Sequence, residues 1–348
     1  MIRQSFRLDK QALIKYRKNQ KESTMTVLVL GGAGYIGSNA VDALIERGDK
    51  VAVVDNLSTG HKAAVNENAH FYKGDIRDKE LLRSVFQIEG IESVMHFAAL
   101  SLGRESVEQP LKYFSNNVHG TEIVLEVMKE FRVNSIVFSS SATIYGNTNQ
   151  SPVDETAEPA PINPYGESKR MMETIMKWQS EASDMNFVAL RYFNVAGAKK
   201  DGTLGEVRQR LIPVILQVAS GEKDKMVLFG DDYPTADGTC VRDYIHVLDL
   251  VDAHILALEY LKKGGSSQIL NVGSARGYSN LELVHACRAV TGKPIPLEIR
   301  TSAMGDAASL IASNAKIEAV LGWSAKYSDI QEIIADAWRF QKIYPEGY

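Results

Sequence analysis

Residues 26–38 read Thr-Val-Leu-Val-Leu-Gly-Gly-Ala-Gly-Tyr-Ile-Gly-Ser. An apolar run of strand length meets a glycine-rich turn, and a helical stretch with an apolar face follows at once. Gly32, Gly34 and Gly37 fit G-x-G-x-x-G, and Gly31, Gly34 and Gly37 also fit G-x-x-G-x-x-G. Glycine permits the tight turn and lets backbone approach a pyrophosphate, which then rests at a helix N-terminus. Alone the loop is a weak signal, but here it has the strand before it and the helix after it that the motif requires.

Outward from this turn the chain alternates strand and helix. Apolar runs at Thr26–Leu30, Val51–Val54, Val94–Phe97, Ile136–Ser139 and Phe187–Leu190 have the length of buried parallel strands. Helical stretches at Ile36–Arg47, Lys79–Phe86, Leu111–Phe131 and Tyr165–Ser180 lie between them. This rhythm predicts an α/β fold, a Rossmann-type doubly wound parallel sheet with right-handed crossovers. After about residue 195 the rhythm loosens, with helical stretches at Leu211–Ala219, Leu248–Leu261, Leu281–Val290 and Asp329–Gln341. A smaller C-terminal α/β part is expected over the strand ends, where open sheets bind ligands.

Composition excludes several classes. Of the 348 residues 45% are apolar and 24% charged, with net charge −4, so nothing global points to nucleic acid or an anionic membrane. No apolar run approaches the ~20 residues of a membrane span. Cys240 and Cys287 offer neither a disulfide framework nor a metal spacing, and a reducing cytoplasm is the expected compartment. The seven histidines lack ligand spacing, so no metal is expected. Residues 1–24 carry +5 against −9 for the remainder, and read as a disordered or weakly helical basic extension, or as sequence upstream of a start at Met25.

Asp55 ends the second apolar run, 21 residues after Gly34. A carboxylate there accepts both ribose hydroxyls of an adenosine and repels a 2′-phosphate. No arginine follows it closely, so NAD is expected rather than NADP. Asp75 follows another short strand, where it either meets the adenine edge or serves an ordinary turn. Tyr165 and Lys169 stand four apart, neighbours on one helical face, just after the helix entry Asn163-Pro164. A phenol near pKa 10 is a poor base at neutral pH. A nearby ammonium and a cationic nicotinamide favour its ionised form. Ser141, at the end of a strand 24 residues earlier, completes a trio that is specific behind a dinucleotide loop.

On these residues the chain, from Met25 to Tyr348, resembles the UDP-glucose 4-epimerase family of extended short-chain dehydrogenases/reductases. The matching stretches include Gly31–Ser38, Asp55–Leu57, Gly74–Asp78, His96–Ala99, Asn116-Asn117, Ser139–Gly146, Leu190–Gly197, Phe229–Gly238, Val241–His246 and Gly347-Tyr348. The resemblance implies interconversion of UDP-glucose and UDP-galactose through transient oxidation at C4 by tightly held NAD, with Tyr165 as base, Ser141 as proton relay and Lys169 on the nicotinamide ribose. Sister reactions need a further acid or base beside the serine. Here Ala142, Thr143 and Ile144 stand there, none of which titrates.

The same resemblance implies a cofactor site of Gly31, Gly34, Tyr35, Ile36, Gly37, Asp55, Asn56, Ser58, Thr59, Gly60, Asp75, Ile76, Phe97, Ala98, Ala99, Ser101, Asn116, Ser139, Tyr192 and Phe193, together with Tyr165 and Lys169. It places Asn194, Leu211, Val227, Phe229, Arg242, Tyr244 and Asp306 around the UDP-sugar with Ser141 and Tyr165. Arg242 suits diphosphate as a guanidinium fork, or else pairs with a neighbour such as Asp243. The implied division gives residues 25–194 to NAD, with 238–263 returning to that domain, and 195–237 and 264–348 to the UDP-sugar. A homodimer is implied as well.

The chain departs from its family in places. Ala303 replaces a diphosphate-binding arginine, and the loop after Gly205-Glu206 is short, with Arg208 and Arg210 as candidates to restore the charge. Gly103-Arg104 and Leu100-Ser101 are altered near the nicotinamide, Leu30 opens the glycine loop, and Leu310 lies near the position that limits bulk at sugar C2. The alternatives are an epimerase acting on another UDP-sugar (N-acetylhexosamine, pentose or uronate) or a non-catalytic NAD-binding sensor.

Overall fold

The computed structural model describes residues 24–207, 210–301 and 307–348. The basic extension through residue 23, Arg208, Ala303 and Asp306 therefore lie outside the described residues.

Strands β1 (Thr26–Leu30), β2 (Lys50–Asp55), β3 (His70–Lys73), β4 (Ser93–His96), β5 (Ser135–Ser141) and β6 (Asn186–Tyr192) come in chain order from the first half. The C-terminal half supplies β7 (Asn194–Ala196), β8 (Met226–Phe229), β9 (Val241–His246), β10 (Gln268–Val272), β11 (Gly277–Ser279), β12 (Leu297–Arg300) and β13 (Ser309–Leu310). Seven strands form one sheet in the order β10-β6-β5-β4-β1-β2-β3, every pairing parallel. Its order reverses beside β1, so the loops after β1 and β4 diverge and leave a crevice at the strand ends. Side chains alternate to two cores. Val27, Val29, Val51 and Val53 pack on one face, and Leu28, Leu30, Ala52 and Val54 on the other.

The C-terminal part forms a small sheet in the order β11-β9-β13, with β7 pairing β9, and a two-stranded ribbon β12-β8. Its own core gathers Ile212, Ile215, Tyr244, Leu283 and Ile333.

Two expectations are corrected. Residues 268–272 do not belong to the smaller part: β10 extends the main sheet from Leu270↔Leu190. The helix Val247–Lys262 packs on that sheet through Val251, Ala257 and Leu258, and Ile317 and Trp323 join the same core. The stretch Leu111–Phe131 is not one regular helix. A four-residue turn, Pro110–Tyr113, runs into a π-helical turn at Phe114–His119 before the α-helix Gly120–Glu130. Such turns place one extra residue per turn and often mark functional sites.

Candidate active site

A cavity of about 970 Å³ opens at the C-terminal ends of β1, β2, β4, β5 and β6, roofed by the smaller part. The glycine turn forms its floor. Gly31 has φ +79°, and a Cβ there would stand 2.6 Å from Ala98 N. A Cβ on Gly37 would stand 2.2 Å from Gly31 O, so both positions demand glycine for close backbone approach. Gly34 ends the turn in extended conformation, and the helix Tyr35–Arg47 begins without a side-chain cap, so its first N–H groups face the cavity. Asp55 braces both sides of this floor, accepting from Ala33 N at 3.0 Å and Leu57 N at 2.8 Å. Size, glycine cradle and carboxylate together fit a dinucleotide.

Most residues expected around the cofactor line this cavity. Gly31, Gly34, Tyr35, Ile36, Gly37, Asp55, Asn56, Ser58, Thr59, Gly60 and Ile76 do so from one end. Phe97, Ala98, Ala99, Ser101, Asn116, Ser139, Tyr165, Lys169, Tyr192 and Phe193 do so from the other. Asp75 does not: its carboxylate is held by Arg77 at 2.8 Å and by Asn56 Nδ2 at 3.0 Å, which keeps its pKa far below the usual range. Asn116 reaches the wall because the π turn rotates it there. The turn is pinned by Asn117, which accepts from Leu100 N at 2.9 Å and donates to Leu100 O at 3.0 Å and Ser168 Oγ at 2.9 Å.

The trio meets at the far end. Asn163 caps the helix Pro164–Glu181, accepting from Gly166 N at 2.9 Å, and so presents Tyr165 in the first turn. Tyr113 lies edge-on to it, ring centroids 6.5 Å apart. The Tyr165 hydroxyl is hydrogen-bonded to Ser141, while Thr143 donates to the Ser141 oxygen from its hydroxyl at 2.9 Å. Burial raises the Tyr165 pKa; the Ser141 bond and Arg210 oppose it. Lys169, buried, donates to Ser139 O at 2.6 Å. Burial lowers its pKa from 10.5 to about 7, with Glu173 pulling the other way. Burial thus brings Lys169 toward neutrality but holds the Tyr165 proton more firmly, so ionisation of the phenol depends on the Ser141 bond and on nearby positive charge.

Of the residues expected around UDP, Asn194 and Arg242 line the cavity, as does Leu310. Arg242 Nη1 donates to Val241 O at 2.8 Å and Ala307 O at 2.7 Å. Asp243 accepts instead from Ser274 and the amides of Ala275 and Ala312. Leu211, Val227, Phe229 and Tyr244 stand off the wall. Tyr244 is buried in the small core, bonded to Asn194, and Leu211 packs against that core. Val227 and Phe229 belong to the β8–β12 ribbon.

Sequence reading missed Glu206, His61 and Tyr348, all on the wall. Glu206 pairs with Arg210 at 3.0 Å, and Arg210 reaches Ser101 Oγ at 3.4 Å. Tyr348 packs against His61, their rings tilted with centroids 5.4 Å apart, and accepts from Gly205 N at 2.9 Å. The altered loop at 205–210 was the available signal for Glu206, and the matching Gly347-Tyr348 was that for Tyr348; nothing local marks His61. Among the described residues no cluster of three or more His, Cys, Asp or Glu could hold a metal, and no helix is long and apolar enough to cross a membrane.

Parallel sheet, glycine turn and strand-end cavity define a nicotinamide-dinucleotide enzyme of the Rossmann type. Residues 27–273 match the model of the NAD dependent epimerase/dehydratase family. The UDP-glucose 4-epimerase of Streptococcus mutans is 54% identical over 329 residues, 93% of this chain and 99% of that protein. Two solved structures are similar throughout. The UDP-glucose 4-epimerase from Brucella ovis in complex with NAD is 42% identical, with TM-score 0.88 over 91% of this chain and 98% of that one. That from Bifidobacterium longum, in complex with NAD+ and UDP, is 38% identical, with TM-score 0.88 over 93% and 100%. The chain belongs to the NAD dependent epimerase/dehydratase family, among its UDP-glucose 4-epimerases, and is an enzyme that uses NAD.

Proposed function

We propose that the chain interconverts UDP-glucose and UDP-galactose without net oxidation. The observation that carries this reading is the joining of Ser141, Tyr165 and Lys169 on one wall with the glycine turn of the same cavity. Bound NAD supplies reversible hydride acceptance at the sugar C4. Gly31, Gly34, Gly37 and Asp55 would hold its adenosine and pyrophosphate, and Lys169 its nicotinamide ribose. The protein's own part is proton handling. Ser141 passes the C4 hydroxyl proton to Tyr165, which later returns it. The Lys169 ammonium, whose burial makes it a weak competitor for that proton, stabilises the phenolate. Ala142, Thr143 and Ile144 beside the relay carry no titrating group, so the segment next to Ser141 adds no acid or base for elimination. Asn194 and Arg242 suit the sugar and diphosphate of UDP by position and charge.

Large apolar side chains exposed at Val107, Leu111 and Trp178, on and beside the elements that carry Asn116 and Tyr165, support a homodimer through this face. The two buried free cysteines support a reducing, cytoplasmic setting. Proton NMR of the protein with UDP-galactose and no added reductant tests the main reading: the anomeric signal of UDP-glucose should appear. NAD-loaded protein that leaves UDP-galactose unchanged would overturn it.

A further inference from the structure

Behind the trio lies a buried ion pair that takes no part in the proton route. Tyr165, Lys169 and Glu173 follow one another at i, i+4 and i+8, on one face of the helix Pro164–Glu181. The ends of β5 and β6 lie beside that face in the register Ser140↔Arg191 and Ser141↔Tyr192. Arg191 donates to Glu173 from Nε at 2.9 Å and from Nη2 at 2.6 Å. Both residues are 4% exposed. The Ser140 hydroxyl donates to the same carboxylate, and the third Arg191 contact is Nη1 to Tyr145 Oη at 3.0 Å. Tyr145 in turn donates to Asn271 Oδ1 at 2.6 Å.

A buried ion pair roughly breaks even in stability against apolar residues of the same volume. Core filling alone therefore gives little reason for one here. Its bonds converge instead on the segment that carries the site. Lys169 holds the Ser139 carbonyl, Glu173 holds Ser140, and Arg191 holds Tyr145, at the end of the turn in which Ser141 and Thr143 bond. Two successive helical turns, with Arg191 of β6 bridging from Glu173 to Tyr145, thus clamp both sides of Ser141 to the helix that bears Tyr165.

We infer that the buried Glu173–Arg191 pair, acting through Ser140 and Tyr145, is the positioning device that fixes Ser141 against Tyr165. The inference rests on the proton-relay reading above. Displacement of a reacting group by ~1 Å costs on the order of a hundredfold in rate, so a clamp of this kind acts on kcat rather than on substrate affinity.

Ser140→Ala cuts the link to β5 and leaves both charges paired. The double variant Glu173→Leu/Arg191→Met removes both charges, so none is left buried alone. In NAD-loaded protein, Ser140→Ala should lower kcat for UDP-galactose about tenfold and the double variant about a hundredfold, with KM within about threefold of the parent. Ser140→Thr, which keeps the hydroxyl, should recover most of the rate. The second readout does not need turnover. Tyrosinate absorbance of each protein, minus that of the same protein carrying Tyr165→Phe, gives the ionisation of Tyr165. It should move to higher pH in both variants as the Ser141 bond loosens. Parent protein inactive on UDP-galactose would sink the substrate reading while the titration still tests the clamp. Folded variants with kcat within twofold and an unshifted Tyr165 would overturn it, and Ser140→Ala decides alone should the double variant not fold.

Discussion

Tyr165 and Lys169 illustrate how burial sets a residue's chemistry. Each pays for leaving water in its charged form, so the phenol is pushed up and the ammonium down, and Tyr165 relies on the Ser141 bond and on positive charge brought beside it to ionise. Tyr165→Phe should lower turnover about a thousandfold while bound NAD stays stoichiometric, because the hydroxyl and not the ring carries the proton. The NMR assay together with NAD released on denaturation checks both halves. Glu206 invites a second test. Burial raises its pKa from 4.5 to about 7 despite Arg210. In that window the folded state binds more protons than the unfolded one, so this residue's contribution to stability is full below pH 4.5 and is lost as pH rises to about 7. Denaturant unfolding of Glu206→Gln should therefore gain on the parent steadily between those values and run parallel to it above. A constant difference across the range would refute the assignment.

At the scale of elements, the first half was readable because parallel strands buried on both faces appear as continuous apolar runs, and β1, β2, β4, β5 and β6 lie where those runs lie. The π turn at Phe114–His119 was not, since a helical period marks a helical stretch without distinguishing an i→i+5 turn from an i→i+4 one. Nor was β10, whose place beside β6 depends on a crossover through the helix Val247–Lys262 rather than on any local signal. The site divides the same way. Glycines and the Tyr/Lys pair are local motifs and were legible. Glu206, His61 and Tyr348 reach the wall by packing between segments distant in sequence. Leu211, Val227, Phe229 and Tyr244 were placed by resemblance, and the small core or its ribbon claims them. The glycine turn carries the sharpest prediction for an element. Gly37→Ala puts a methyl 2.2 Å from Gly31 O, so the turn must open. A stability loss of ~1–3 kcal/mol and loss of copurifying NAD are expected, read by thermal unfolding and cofactor content.

For the molecule as a whole, the question is how the roof is tied to the sheet. Asp243 lies on β9, next to Arg242, and is fully buried. It accepts from Ser274 N at 2.7 Å, Ser274 Oγ at 2.8 Å, Ala275 N at 3.0 Å and Ala312 N at 3.1 Å. Ser274 and Ala275 directly follow β10, the edge strand of the main sheet, so one carboxylate straps the small sheet to the large one. Removing it strands several buried donors, each worth ~1–3 kcal/mol unmatched, so Asp243→Ala should melt well below the parent. The two ligands should respond differently. On the proposed reading, NAD rests on the glycine turn, which belongs to the main sheet alone, whereas UDP needs Arg242 held over that sheet. A ligand at a hundred times its Kd stabilises by ~2.7 kcal/mol. In the parent, saturating UDP should raise the melting temperature of NAD-loaded protein by a few degrees. In Asp243→Ala the NAD-dependent shift should persist and the UDP-dependent shift fall by more than half. An undiminished UDP shift would mean that Arg242 keeps its place without the strap, and that the roof is positioned by β7 pairing with β9 instead.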